Sequence, residues 1–228
     1  MGARRFTTAV LLFVFTLAGC LTVDPPRIKS VNLVNDARTT LSSFAASSEE
    51  PMQWFRREMK TAKGVVVFPE VLKAAFVVGG EGGNGVLLAR KPDGTWTYPA
   101  FYTMGAGSVG FQIGGQASEI VLVLRNESAV DAVIKHQGKL GADMEVTVGT
   151  IGAGVEGATT TNVGADIMVF ARSAGVYGGL SLEGAVLAKR NDWNEAYYAD
   201  GATAAGIVQQ GKYSNPKADP LRAELAKF

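Results

Sequence analysis

Three stretches of the 228-residue chain satisfy G-x-G-x-x-G: "GEGGNG" at 80–85, "GAGSVG" at 105–110 and "GAGVEG" at 152–157. In a dinucleotide fold such a stretch follows a strand and opens a helix, whose N-terminal amides hold the pyrophosphate. Here each runs on into strand-like sequence: "VLLAR", "FQIGGQASEIVLVL" and "ATTTNVGADIMVF". Glycine at alternate positions instead leaves one face of a strand bare, so that a neighbour packs close to its backbone. The glycines therefore predict tightly packed β units and argue against a nucleotide cradle.

The texture from Lys63 onward agrees. "GVVVF", "AAFVVGG", "GVLLAR", "TWTYPAFY", "VGFQI", "EIVLVLR", "MEVTVG" and "DIMVFAR" are short β-branched and aromatic runs between turn residues. The chain also resembles itself. A shift of 47 aligns "GAGSVGFQIGGQASEIVLV" with "GAGVEGATTTNVGADIMVF" without a gap, and a shift of 99 aligns "GGEGGNGVLLARK" with "GGLSLEGAVLAKR". Helical spacing is confined to a few places. Ile28, Val31, Val34, Ala37, Leu41 and Phe44 form one apolar stripe, and a second helix from about Ser48 buries Met52, Phe55, Met59 and Ala62. "NESAVDAVIKHQGKLG" is a mid-chain helix capped at Asn126 or Ser128 and stopped at Gly138. A short helix near Ala202–Gln210 precedes a Pro-punctuated tail with a last helical turn from Leu221. The expected fold is α+β: a Gly-rich, mostly antiparallel multi-stranded β core with internal repeats, flanked by N-terminal amphipathic helices and one mid-chain helix.

The first twenty residues carry a different message. Arg4 and Arg5 precede an apolar run from Ala9 to Ala18, too short to span a bilayer comfortably, and "LAGC" ends on Cys20, the one cysteine of the chain. This is the form of a lipoprotein signal peptide cleaved before a cysteine that is acylated on sulfur, and a lone cysteine rules out an internal disulfide. The expected divisions are a signal peptide at 1–19, a lipidated tether at 20–27, a single domain at 28–213 and a C-terminal tail at 214–228. Leu21 in place of Asp after the cysteine favours an outer-membrane anchor facing the periplasm. Cleavage leaves 20 basic residues against 21 acidic ones. That balance gives no reason to expect nucleic acid, and leaves only local clusters to meet an anionic partner.

The run "AKGVVVFPEVLKAAFVVGGEGGNGVLLAR", followed by "PAFYTMGAGSVGFQIGGQASEIVLVL", "TVGTIGAGVEGATTTNVGADIMVFARSAGVYGGLSLEGAVL" and "NEAYY", resembles the SYLF domain over about Val34–Tyr213. The resemblance implies a Gly-rich α+β domain that binds phosphoinositides or other anionic phospholipids through a basic surface and an N-terminal amphipathic segment. Some eukaryotic members also bind actin.

The residues offer candidates of their own. Arg56, Arg57, Lys60 and Lys63 stand near Trp54 and Phe55, a combination suited to phosphate headgroups with an aromatic ring at the interface. The same cations also suit a plain solvated helix face. Arg90-Lys91 and Lys189-Arg190 occupy equivalent places in the 99-residue repeat and would make one patch if the repeats were neighbours; charged strand ends facing water are the alternative. Catalysis finds little support. His136 is the one histidine, placed to complement a helix C-terminus, and no Cys-His pair or zinc set is available. Glu81, Glu119, Glu156, Asp166 and Glu183 recur in the Gly-rich units without the clustering a calcium loop needs, and Glu119 and Asp166 are read as repeat-equivalent strand starts. The sequence reading is thus non-enzymatic and without cofactor: a membrane-anchored domain whose partner is an anionic phospholipid membrane. A scaffold binding an envelope protein or peptidoglycan, with lipid contact only through Cys20, is the alternative.

Overall fold

In the computed structural model, residues 25–75, 78–109, 114–135, 138–139, 148–152, 165–174 and 185–228 are described. Helix α1 (Pro26–Ala46) opens on a proline, whose missing N–H is one that no helix start can satisfy. It buries Val34, Ala37, Leu41 and Phe44, four of the six stripe residues, while Ile28 near its start is exposed. Helix α2 (Glu50–Thr61) carries Glu50 and Pro51 in its first turn, as the Ser-Glu-Glu-Pro stretch predicts, and buries Met52, Phe55 and Met59.

Four long strands follow: β1 (Gly64–Ala75), β2 (Val78–Ala89), β3 (Ala100–Val109) and β4 (Gly114–Leu124). Helix α3 (Glu127–Lys135) leads to the short β5 (Gly138–Lys139), then β6 (Val148–Gly152), β7 (Ile167–Ala174) and β8 (Val186–Lys189). The chain ends through α4 (Asn191–Tyr197), a π-helical turn at Ala205–Gln209, a 3-10 turn at Pro216–Ala218 and α5 (Asp219–Leu225). The strands form one sheet in the order β5-β8-β3-β2-β1-β4-β7-β6. Every described pairing is antiparallel except β6 with β7.

Side-chain alternation along the strands feeds two cores. Val65, Val67, Val86, Leu88, Val121 and Val123 face a layer containing α1, α2, α4 and α5. Val66, Phe68, Leu87, Ile120, Leu122 and Leu124 face α3 and the π-helical turn. The fold is therefore α+β with helices on both sides of a mostly antiparallel sheet. Burying a side chain such as Phe55 or Phe170 contributes roughly 1.5–3 kcal/mol. Phe55 stands edge-on to Phe44, Phe170 and Phe228, with centroids 5.4–5.5 Å apart. Residues 214–228, expected as a tail, belong to this body: Ala218, Leu221 and Leu225 are buried in the helix-side core. A domain boundary at 213 therefore cuts through packed structure.

Two of the three Gly-rich stretches are cross-strand neighbours, with Gly80 opposite Gly107 and Gly82 opposite Gly105. Glycine is sterically required close by. A Cβ on Gly83 would sit 2.3 Å from the Glu70 carbonyl oxygen, and one on Gly85 would sit 2.5 Å from the Phe68 ring, where β1 shifts register around Pro69. Gly107, by contrast, faces open space. Of the third stretch only Gly152 lies among the described residues, at the end of β6. The repeats map unevenly onto the sheet. Ile120 and Ile167, matched by the 47-residue shift, lie on adjacent strands β4 and β7, whereas Gly105 and Gly152 lie in β3 and β6, far apart in strand order.

Candidate functional site

Residues three apart on a helix share a face, and Trp54, Arg57 and Lys60 on α2 do so. Trp54 is 40% exposed, and the Arg57 guanidinium lies 4.9 Å from the centre of its ring. Lys60 is exposed, as is Lys63 just beyond the helix. Among the described residues, no carboxylate pairs with Arg57, Lys60 or Lys63. Arg56, about 100° round the helix from Arg57, turns inward. It donates to the carbonyls of Ala45 (3.0 Å) and Ser47 (2.6 Å), closing the C-terminal end of α1.

At the foot of α2 the backbone N–H of Arg90 donates to the Lys63 carbonyl at 2.8 Å. The Arg90 side chain donates to Met59 O (Nη2, 2.8 Å) and Ala62 O (Nε, 3.1 Å), and lies 4.7 Å over the Trp96 ring. Burial pulls its pKa below the ordinary arginine value. Lys91 is exposed, 3.9 Å from Asp93. Arg222 of α5 reaches the same place, donating to Trp96 O at 2.9 Å and stacking 4.2 Å over Tyr98. So Arg90-Lys91 is joined to Lys63 and to the C-terminal helix.

It is not joined to Lys189-Arg190. Lys189 pairs with Tyr102, which pairs with Gly85, so the second pair lies about five residues along β2 from Arg90, roughly 16 Å of strand. Lys189 Nζ donates to the last carbonyl of α3, Lys135 O, at 3.4 Å. Arg190 lies 4.5 Å over Trp193 and is bound to Asp192 and Asn84. Arg56, Arg90 and Lys189 thus share one use, closing the carbonyl ends of α1, α2 and α3.

The carboxylates separate as well. Glu81 lies in β2, its pKa raised by burial, with Lys73 4.0 Å away. Glu119 is inside β4, where it accepts from Thr40 Oγ1 at 2.9 Å and from Arg172, tying α1 to the sheet. Asp166, before β7, accepts from Asn126 Nδ2 at 2.6 Å. Among the described residues, no group of three or more His, Cys, Asp or Glu is placed to hold a metal, and no helix is long and apolar enough to cross a membrane. Cys20, His136, Glu156 and Glu183 lie outside the described residues.

The sequence profile of the family Ysc84, described as "Las17-binding protein actin regulator", matches residues 105–228. The chain belongs to the Ysc84 family. It is 34% identical over 166 residues to Protein YSC84 of Saccharomyces cerevisiae, covering 72% of this chain and 35% of that one. It is 36% identical over 148 residues to the SH3 domain-containing YSC84-like protein 1 of Rattus norvegicus, covering 64% and 43%. A third relative, LAS seventeen-binding protein 3 of S. cerevisiae, is 32% identical over 166 residues, covering 72% and 36%. The chain thus spans between a third and a half of the length of these relatives. The Ysc84 match begins within β3, so the family profile covers Arg222 and Lys189-Arg190 but not α2 and its stripe.

Two contributors escaped the sequence reading. Arg222 stands 132 positions from Arg90, and only the docking of α5 brings them together. Arg172 had a signal: it falls 47 residues after Arg125, just past the aligned stretch, and both arginines hold glutamates, Arg172 with Glu119 and Arg125 with Glu58.

Proposed function

We propose that this Ysc84-family chain is a non-enzymatic lipoprotein domain, held at the periplasmic face of the outer membrane by acylated Cys20, that binds anionic phospholipid headgroups through Trp54, Arg57, Lys60 and Lys63. The observation that carries this reading is the freedom of that stripe. Most other cations singled out in the sequence hold a carbonyl, a carboxylate or both, whereas Arg57, Lys60 and Lys63 are unpaired among the described residues and stand beside a 40% exposed tryptophan. Each cation near an anionic surface adds about 1 kcal/mol, and a tryptophan suits the headgroup level. Three such charges orient a body that is already tethered; they need not recruit it alone. Phosphoinositides and other anionic phospholipids are the headgroup class.

Vesicle co-sedimentation of the chain from Thr22 onward tests this, since the described core begins beyond that point. Binding to phosphatidylglycerol vesicles at low salt, weakened by added salt and lost in Arg57→Glu/Lys60→Glu/Lys63→Glu, is the expected result. Binding that survives the triple reversal overturns the assigned residues, and no binding to anionic vesicles overturns the lipid reading. Acyl labelling that persists in Cys20→Ser removes the anchor.

The second reading is a scaffold that binds an envelope protein or peptidoglycan and meets lipid only through Cys20. The relative LAS seventeen-binding protein 3 favours it, since its name is that of a protein that binds another protein. Failure of the vesicle experiment leaves this reading in place.

A further inference from the structure

Between β2, the segment leading to β3, the π-helical turn and α5 lies a cavity of about 410 Å³. That is the size of a small-molecule site. Among the described residues, three cations line it, Arg90, Lys91 and Arg222, and no carboxylate does. Two of them carry acids of their own: Asp93 lies 3.9 Å from Lys91, and Asp219, hydrogen-bonded by Tyr98, accepts from Arg222 Nη1 at 2.8 Å. Three charges against two leave the walls positive.

The two guanidinium groups are held before any ligand arrives. Arg90 is fixed by Met59 O, Ala62 O and the Trp96 ring; Arg222 by Trp96 O and the Tyr98 ring. The two carbonyl bonds occupy two of Arg90's five N–H groups. Fixed donors lose little freedom on binding. Burial already works against the charge on Arg90, a cost that an anion in the cavity relieves. The rest of the lining mixes apolar and aromatic residues, Ile207, Val208 and Tyr213 among them, with the polar Thr97, Gln209, Gln210 and Ser214. Cations beside aliphatic and aromatic side chains suit a ligand that carries both an anion and an apolar body. A tetrahedral dianion, accepting from several directions, uses the N–H groups left over on the two guanidiniums and an ammonium better than a planar carboxylate does.

We infer that this cavity is a binding site for a phosphomonoester carried on an apolar or aromatic body. The site stands apart from the helical stripe and is independent of the membrane reading. Two sources supply that chemistry, a soluble organic phosphate and a phosphatidate headgroup, and the experiment separates them.

The full chain, in a neutral detergent, is titrated with phenyl phosphate by calorimetry, and its binding to phosphatidate vesicles is measured in parallel. Lys91→Glu and Gln210→Glu each place a carboxylate at the cavity from an exposed position that leaves the core untouched. Saturable phenyl phosphate binding, weakened roughly fivefold or more by each variant and unchanged by the distant Arg38→Glu, supports the site with a soluble ligand. Vesicle binding weakened by the same two variants, with no response to phenyl phosphate, supports it with a lipid headgroup. Absence of both, or binding indifferent to both variants, overturns it. Phenyl phosphate binding in a protein that ignores anionic vesicles sinks the membrane reading and leaves this one standing.

Discussion

The outer face of α2 and the foot of the same helix use arginine beside tryptophan in opposite ways. On the outer face Arg57 lies 4.9 Å over Trp54, with the ring 40% exposed and, among the described residues, no carbonyl to hold. At the foot Arg90 lies 4.7 Å over Trp96, which is 1% exposed, and binds two carbonyls at the helix end. The pairs have nearly the same geometry and different surroundings. A stacked arginine meets a membrane surface only where it stands exposed; burial and orphan carbonyls fix the second pair in place and leave Arg90 only its remaining N–H groups, turned to the cavity.

Mutations can break or sharpen this contrast. The largest effect is expected from Phe55→Ala, which empties the aromatic junction on the inner face of α2. About 3–5 kcal/mol of stability is lost, read from chemical denaturation, and a loss below about 1 kcal/mol would deny that α2 is anchored there. Arg90→Met keeps the apolar stem but abandons the carbonyls of Met59 and Ala62. It costs roughly 1–3 kcal/mol by the same measurement. Arg57→Met, its counterpart on the outer face, changes stability by no more than about 0.5 kcal/mol; an equal cost at the two positions would erase the distinction.

In vesicle binding the order reverses. The triple reversal Arg57→Glu/Lys60→Glu/Lys63→Glu lowers affinity by about tenfold or more at low salt while the unfolding midpoint stays put. Trp54→Ala is the smallest change, a few-fold loss of vesicle affinity with stability unaltered, seen also as loss of the tryptophan blue shift on vesicle addition.

Much of this was legible in the chain. The apolar stripes of α1 and α2, the acid and proline in the first turn of α2, and the strand character of "GAGSVG" all follow from period and local chemistry, which act over a few residues; the serine cap expected for α2 is not made, Glu49 standing at that position without a side-chain cap bond. The basic face of α2 was legible in part, since helical spacing groups Arg56, Lys60 and Lys63, with Arg57 beside them and Trp54 close by. Arg56 shows the limit. Its neighbour in sequence points to solvent, but the return of α1 leaves the carbonyls of Ala45 and Ser47 within its reach.

What the sequence by itself determined is therefore the local grammar: which described segments are helix or strand, which faces are apolar, and that the glycine-rich runs at 80–85 and 105–109 are strands. The tertiary structure decided the partners. Strand pairing and the docking of α5 set Arg90-Lys91 beside Lys63 and Arg222 and left Lys189-Arg190 roughly 16 Å along the sheet, although a 99-residue repeat makes the two pairs equivalent in sequence. It also placed residues 214–228 against Phe55 and the helix-side core. The physical reason is range. Backbone propensity and periodicity are settled by neighbours within a turn or a pleat, whereas a carbonyl left over at a helix end or a wall left open beside a sheet is claimed by whichever side chain the packed chain delivers there.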